Sequence, residues 1–167
     1  MFGAVLRMFK GKSRLRSVGV YYVGRVYHVV TLYGSDGGDP CIEVGPVASI
    51  ERQDDPTQLG QAIRHGLVQC RYDYPFPKNR EAWKSVPTPL LAATGLKTWV
   101  AVAKRANHLR VDEENSIVRI RPTRRGPKQA FHPVPEREIA LQSQTDLALG
   151  QAVAAELDFA RINEGPK

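Results

Sequence analysis

The sequence predicts a single α+β domain in which two duplicated β-β-β-α halves form a mainly antiparallel sheet with helices packed on it. The first observation is a repeat: residues 55–71, DPTQLGQAIRHGLVQCR, return as residues 145–161, TDLALGQAVAAELDFAR. The copies share Leu-Gly-Gln-Ala, a β-branched residue, a leucine and an arginine, all in register. At average residue usage, such agreement at one offset is expected by chance in about one chain in a thousand. We therefore interpret it as an internal duplication.

The repeated segment has the pattern of a helix with one apolar face. Apolar residues recur at helical spacing along the first copy: Leu59, Ala62, Ile63, Gly66, Leu67 and Cys70. Asp55 and Thr145 are placed to cap the two N termini. A glycine inside a helix costs about 1 kcal/mol relative to alanine, yet Gly60 and Gly150 occupy the same position in the two copies. We expect both glycines to lie at a close contact, facing the sheet.

The other elements of the first half, residues 17–71, are predicted from composition and alternation. Val18–Leu32 is rich in valine and tyrosine and is interrupted at Val23-Gly24, which predicts a hairpin. Gly34–Pro40 has the glycine, aspartate and proline content of a loop. Cys41–Ile50 is predicted to be the third strand, leading into the first repeat helix.

The second half, residues 107–161, is predicted to have the same plan. Short strands are expected at His108–Val111 and Ile117–Arg121. A basic loop is expected at Pro122–Lys128, since it contains arginine, lysine, glycine and proline. A further extended stretch, Ala130–Leu141, leads into the second repeat helix.

The connecting segment, residues 72–106, begins with aromatic residues and prolines. Its YDYPFP run, residues 72–77, is either an ordered wrap on the surface or an exposed contact patch. Leu90–Ala93 is predicted to form a short helical turn. Thr98 is placed to begin a longer helix, whose predicted apolar face consists of Trp99, Val102 and Ala103.

Length and charge limit the classes of protein that fit. A chain of 167 residues suits one domain, with residues 1–16 as a flexible basic arm and residues 17–163 as the folded unit. The net charge of +7 allows a nucleic-acid or an acidic protein partner. No apolar run is long enough to cross a bilayer, and the first residues lack the features of a secretory signal. Cys41 and Cys70 fit buried thiols in a reducing compartment, so we expect a cytoplasmic protein.

No catalytic constellation of useful specificity occurs in the sequence. The four histidines are scattered, without metal-ligand spacing or a cysteine cluster. Nucleophile-elbow, phosphate-loop and HExxH motifs are missing. The sequence thus predicts a protein without enzymatic activity, metal, cofactor, small-molecule substrate or membrane partner. One binding alternative stays open, a small basic RNA- or DNA-binding module with a base-stacking sheet face formed by Tyr21, Tyr22, Tyr27 and Tyr33.

Five segments, spread over nearly the whole chain, together carry a resemblance to a known family. They are MFKGKSR at Met8–Arg14, DPTQLGQAIRHGL at Asp55–Leu67, GLKTWVAVAK at Gly95–Lys104, IVRIRP at Ile117–Pro122 and LGQAV at Leu149–Val153. In this order they make the sequence similar to the immunity proteins of bacterial contact-dependent growth inhibition systems. The resemblance implies a small cytoplasmic protein that binds and neutralises the C-terminal toxin domain of its own system, a domain that is frequently a nuclease. Nucleic acid would then be involved only indirectly, through the toxin.

The resemblance supplies no fixed contact residues, because each immunity protein of this kind is fitted to one toxin. Inhibitors of nucleases are often acidic, whereas this chain is basic, so its local acidic residues are the candidates for a basic partner. Carboxylates attract such a partner, and an aromatic anchor is typical of interface centres. The predicted partner-binding residues are Tyr33, Asp36, Asp39 and Glu43.

Overall fold

The computed structural model describes residues 14–126, 130–142 and 144–162. Most of the predicted N-terminal arm, and Pro127 and Lys128 of the predicted basic loop, lie outside the described residues. The last residue of that arm, Arg16, begins the first strand. In chain order the elements are β1 Arg16–Val23, β2 Val26–Thr31, β3 Tyr33–Gly34, β4 Pro40–Ile42, β5 Val47–Glu51, α1 Pro56–Val68, α2 Arg80–Lys84, α3 Pro89–Thr94, α4 Trp99–Arg105, β6 Asn107–Glu114, β7 Ile117–Arg125, β8 Phe131–Pro133, a 3-10 turn Pro135–Arg137, β9 Ile139–Gln142 and α5 Asp146–Ile162.

Seven of the described strands form one sheet in the order β5-β2-β1-β6-β7-β8, with β9 also paired to β7. All of these pairs are antiparallel. At the centre, Val20 of β1 lies opposite Leu109 of β6. The segments β1-β2-β5-α1 and β6-β7-β9-α5 thus have the same strand order outward from the centre. The predicted α+β class with a mainly antiparallel sheet is confirmed, while the duplication itself stays a prediction.

Helices α1 and α5 lie side by side on one face of the sheet. Their N termini are capped as predicted: Thr57 N donates to Asp55 Oδ1 at 2.9 Å, and Ala148 N donates to Thr145 Oγ1 at 3.2 Å. Their sheet-facing side chains are at most 1% exposed: Leu59, Ile63, Leu67, Leu149, Val153 and Leu157. Burying each such aliphatic side chain contributes about 1.5–3 kcal/mol, so this layer supplies the main core of the domain.

The repeated glycines lie where α1 and α5 touch, and the prediction that they face the sheet is wrong. A Cβ atom built on Gly60 would meet the backbone of Asp146, and one built on Gly150 would meet the backbone of Pro56. Each glycine therefore faces the first residue of the other helix. The glycine that faces the sheet is Gly66, where a Cβ atom would come within 2.8 Å of Val18. The expected close contact exists, but its partner is the other helix.

The connecting segment crosses to the opposite face of the sheet and covers the part formed by β1 and β2. Leu90 of α3 and Val102 of α4 are fully buried there, in a second apolar cluster. The cluster also contains Tyr21, Val30, Leu32 and Ala106. Helix α3 ends at Gly95, whose φ of 68° is left-handed, and Thr98 Oγ1 accepts from Ala101 N at 3.1 Å. Both predicted helices of this segment are thus present.

Two strand predictions need correction. The expected strand Cys41–Ile50 is divided into β4, which pairs with β3 in a separate two-stranded sheet, and β5, which pairs with β2 in the main sheet. Cys41 is exposed instead of buried. In the second half, β7 continues to Arg125, so Pro122–Arg125 is strand and not loop.

Candidate functional site

Three of the four predicted partner-binding residues lie on the hairpin formed by β3 and β4. Its turn contains Asp36 and Gly37, whose φ angles of 51° and 81° are left-handed. Gly38 N donates to Ser35 O at 2.8 Å and closes the turn. The side chains of Asp36 and Asp39 are exposed and form no ion pair with any described residue. The hairpin therefore presents two carboxylates to solvent on an ordered backbone.

The YDYPFP run holds this hairpin from one side. Gly34 N donates to Arg71 O at 2.6 Å, Gly37 N to Tyr72 O at 2.9 Å, and Tyr74 N to Gly34 O at 3.2 Å. Of the two alternatives for this run, the ordered wrap is correct for Tyr72 and Tyr74, whose rings are half-buried. Further along, Phe76 is 48% exposed. Phe76 is thus the exposed aromatic residue of the run, and Pro77 at its end is buried.

Tyr33 is less available than the sequence suggests. Its ring centre lies 6.3 Å from that of Tyr74 and 5.7 Å from the guanidinium carbon of Arg71. That guanidinium is itself held by Asp73, with a nitrogen–oxygen distance of 2.9 Å. Tyr33 therefore packs against the segment that follows α1, and the accessible groups of the hairpin are Asp36 and Asp39.

Glu43 turns away from the hairpin, toward the sheet. Its Oε1 accepts a hydrogen bond from the Tyr21 hydroxyl at 2.5 Å. Burial raises the pKa of Glu43 to about 7, and the Tyr21 hydrogen bond and the nearby Arg110 only partly oppose this. Arg110 donates elsewhere, to Asp112 at 2.7 Å and to Pro40 O at 2.9 Å. The carboxyl of Glu43 is thus close to an arginine without being hydrogen-bonded to it.

A groove opens beside Glu43, and both tryptophans of the chain lie on it. We call it the tryptophan groove and define it by Tyr21, Ile42, Glu43, Trp83, Pro87 and Trp99. Its volume is about 370 Å³. Trp83 is 47% exposed and Trp99 is 41% exposed, which is unusual for side chains that normally bury most of their surface. Cys41 also lines the groove, so β4 joins it to the acidic hairpin.

Two short helices position the tryptophans. Trp83 lies on α2, where Ala82 N donates to the N-cap Asn79 at 2.8 Å, and its ring meets that of Phe76 edge-on at 5.7 Å. Trp99 is the first residue of α4, and its predicted burial is wrong. Sequence reasoning missed α2, which has too few residues for a periodic pattern, although an asparagine followed by acidic and then basic residues is a weak helix-start signal.

The base-stacking alternative is not supported by the positions of the tyrosines. Tyr21, Tyr22 and Tyr27 are 4%, 6% and 5% exposed, so their faces are packed inside the domain. Two arginines of β6 and β7 are likewise engaged, since Asp112 is fully buried between Arg110 at 2.7 Å and Arg121 at 2.6 Å. Much of the basic charge on this part of the sheet is therefore neutralised within the domain.

A smaller cavity of about 250 Å³ lies between β7 and α5. Its floor includes His108, packed between Tyr21 and Phe131 at centroid distances of 4.4 and 4.7 Å. Burial, with a smaller effect of Arg110, lowers the pKa of His108 to about 3. The ring nitrogen Nδ1 lies 3.0 Å from Thr123 Oγ1. This histidine is consequently a neutral core residue.

No helix among the described residues is long and apolar enough to span a membrane. Nor do those residues bring together three or more histidine, cysteine, aspartate or glutamate side chains that could hold a metal ion.

The chain folds as a small α+β protein with an exposed acidic and aromatic surface. A family model described as CDI immunity protein, for contact-dependent growth inhibition, matches residues 17–160. The chain therefore belongs to the CDI immunity protein family, as the resemblance implied. No curated protein matches the chain.

Two solved structures have a similar fold. A protein of unknown function from Neisseria meningitidis has a TM-score of 0.71 and 18% sequence identity, covering 92% of this chain and 100% of that one. A chain of the CdiA-CT/CdiI toxin and immunity complex from Yersinia pseudotuberculosis has a TM-score of 0.68 and 12% identity, covering 88% of this chain and 98% of that one. At these identities, the likeness shows the fold alone.

Proposed function

We propose that this immunity protein neutralises the C-terminal toxin domain of its own contact-dependent growth inhibition system by binding it through the acidic hairpin and the tryptophan groove. The observation that carries the proposal is the family match over residues 17–160. It is supported by the similar fold of a chain from a toxin and immunity complex. The protein acts by occupying the toxin and not by modifying it.

Charge and exposure favour this particular surface. The whole chain carries +7, so a basic partner is repelled by most of it and attracted locally by Asp36 and Asp39. Exposed tryptophans are the residues most enriched among interface hot spots. Because β4 follows Asp39 directly and lines the groove, the charged and the aromatic parts form one continuous surface.

The finer parts of the proposal concern the partner and the compartment. We propose that the toxin domain is a nuclease and that the two proteins meet in the cytoplasm. A nuclease binds a polyanion and therefore tends to carry a basic surface, which suits the two exposed carboxylates of the hairpin.

The test uses the toxin domain encoded next to this gene, with affinity measured by titration calorimetry and protection measured by growth on co-expression. Replacing Asp36 and Asp39 together by asparagine removes both charges, and asparagine tolerates the left-handed φ at position 36. This double variant should bind at least tenfold more weakly, with an unchanged thermal midpoint.

The matched control replaces Glu51 and Glu136, two exposed carboxylates outside the hairpin, by glutamine. It should bind like the wild type. Failure of the wild-type chain to bind the domain and to protect growth would refute the proposed function. Equal losses in the two double variants would refute the choice of surface.

A further inference from the structure

We propose that the tryptophan groove receives one basic side chain of the toxin domain, a lysine or an arginine, with Glu43 as its counter-ion and Trp83 and Trp99 as its walls. This inference rests on the proposed function and specifies the chemistry of the partner at that surface. It makes Glu43 the charged centre of the interface and the hairpin aspartates its periphery.

The Glu43 carboxyl group is placed to receive a cation. Its Oε1 accepts from the Tyr21 hydroxyl, whereas no donor among the described residues reaches Oε2. A buried oxygen without a partner would be left unsatisfied, and Oε2 is not such an atom. It is therefore accessible, and Glu43 lines the groove. A carboxyl group in a partly desolvated place gains most from an added cation, because each charge interaction is stronger there than in water.

The two tryptophan walls of the groove also suit a cation. A cation close to the face of an indole ring is attracted by the ring quadrupole, and tryptophan is the best aromatic partner for it. Two exposed tryptophans beside one carboxyl group therefore suit the long apolar stem and the charged head of lysine or arginine. An apolar occupant would use the same walls but would bury the Glu43 Oε2 atom without a partner, which is costly.

The side chains of the site are held in place before any partner arrives. Phe76 supports the Trp83 ring at 5.7 Å, and the Tyr21 hydroxyl fixes Glu43 at 2.5 Å. Groups that are already ordered lose little freedom on binding. The acidic hairpin next to the groove adds long-range attraction for the same sign of charge.

The tryptophans allow a direct test, because Trp83 and Trp99 are the two tryptophans of the chain. Labelling the immunity protein with 5-fluorotryptophan gives two fluorine resonances that both report on the groove, and the unlabelled toxin domain adds no signal. Both resonances should shift on saturation with the domain. Complex formation in calorimetry without a shift of either resonance would overturn the groove inference and leave the proposed function standing. Absence of a complex would overturn both.

A double-mutant cycle then tests the charge chemistry. Glu43→Gln should weaken binding at least tenfold, and this loss should disappear against a toxin domain in which one particular lysine or arginine is replaced by glutamine or methionine. Glu51→Gln is the matched control and should leave affinity unchanged.

For the walls of the groove, Trp83→Ala should weaken binding at least tenfold, whereas Val68→Ala, at another exposed apolar residue, should not. Coupling of Trp83 to an apolar toxin residue, with none for Glu43, would overturn the proposal.

The pH dependence gives an independent reading of the same contact. With a pKa of about 7, Glu43 is mostly protonated at pH 6 and mostly ionised at pH 8, so affinity should rise up to about tenfold between them if the ionised form binds. Glu43→Gln should lose this rise. The groups facing Glu43 keep their charge in this range: the pKa of Tyr21 is raised by burial, and Arg110 is a guanidinium. Introducing Cys41→Ser into both the wild type and the Glu43→Gln variant removes the nearby thiol from the comparison. An equal rise in affinity with glutamine at position 43 would contradict the role of Glu43 as the counter-ion.

Discussion

A single methyl group at the crossing of α1 and α5 tests the packing that holds the domain together. The Cβ atom of Gly60→Ala would overlap the carbonyl oxygen of Asp146 and would lie 2.6 Å from its carbonyl carbon, whereas ordinary contact begins at 3.4 Å. The helices must therefore separate by more than about 0.8 Å, since backbone cannot rotate away as a side chain does. Such overpacking costs about 3 kcal/mol at the upper end of its range, and alanine regains about 1 kcal/mol of helix propensity. We expect a net loss of about 2 kcal/mol in the free energy of unfolding.

The assay is equilibrium unfolding in urea, followed by circular dichroism, with the slope of the transition checked for each variant. Gly150→Ala should cost a similar amount, because its Cβ atom would lie 2.8 Å from the carbonyl carbon of Pro56. The double variant should cost less than the sum, since one separation of the helices accommodates both methyl groups. Gln61→Ala, on the exposed side of α1, should be within about 0.5 kcal/mol of the wild type. Alanine variants of both glycines as stable as Gln61→Ala would refute the close crossing, and strict additivity would refute the shared displacement.

Two half-buried titratable groups, His108 and Glu43, should change stability with pH in opposite directions. The folded-state pKa of His108, about 3, is below its usual 6.5, so stability is lost as pH falls from 6.5 toward 3; His108→Gln should lose about 2 kcal/mol less than the wild type between pH 7 and 5 in urea unfolding. Glu43 has a folded-state pKa of about 7, above its usual 4.5, so its contribution is lost as pH rises from 4.5 to 7. Glu43→Gln should therefore be more stable than the wild type by about 1–3 kcal/mol at pH 8 and similar to it at pH 4. If the free energies of unfolding of a variant and the wild type change with pH in parallel, the burial of the residue replaced in that variant is contradicted.

The sequence predicts those elements whose pattern is local and repeated. The stripe from Leu59 to Leu67 and the caps at Asp55 and Thr145 follow from helical spacing and hydrogen-bonding chemistry, and each is confirmed. The direction of Gly60 could not be predicted in the same way. A glycine shows only that something lies close, and whether that is a sheet or a second helix depends on contacts between segments distant in sequence.

The errors in the second half and at the candidate site have a different physical origin. Arginines in Ile117–Arg125 suggested a loop at its end, yet the segment is strand β7, and on one of its faces Arg121 reaches the buried Asp112 at 2.6 Å. Trp99 has the spacing of a core residue but is 41% exposed, because the short helix α4 buries only Val102 and Ala103. Charge pairing across strands and the length of a short helix are tertiary facts that composition does not reveal.

The proposed binding surface comes mainly from parts of the chain that lie outside the two β-β-β-α segments. The hairpin of β3 and β4 interrupts the first segment as a separate two-stranded sheet, whereas β8, the described strand between β7 and β9, pairs with β7 in the main sheet. Helices α2 and α4 belong to the connecting segment. Residues of the sheet and of α1 and α5 are constrained by the core, whereas Asp36, Asp39, Trp83 and Trp99 can change without disturbing it. Glu43 is the exception, since it is fixed to the sheet through Tyr21. In this arrangement the groove supplies a fixed site for one cation, and the exposed residues around it are free to adapt to the rest of a particular toxin.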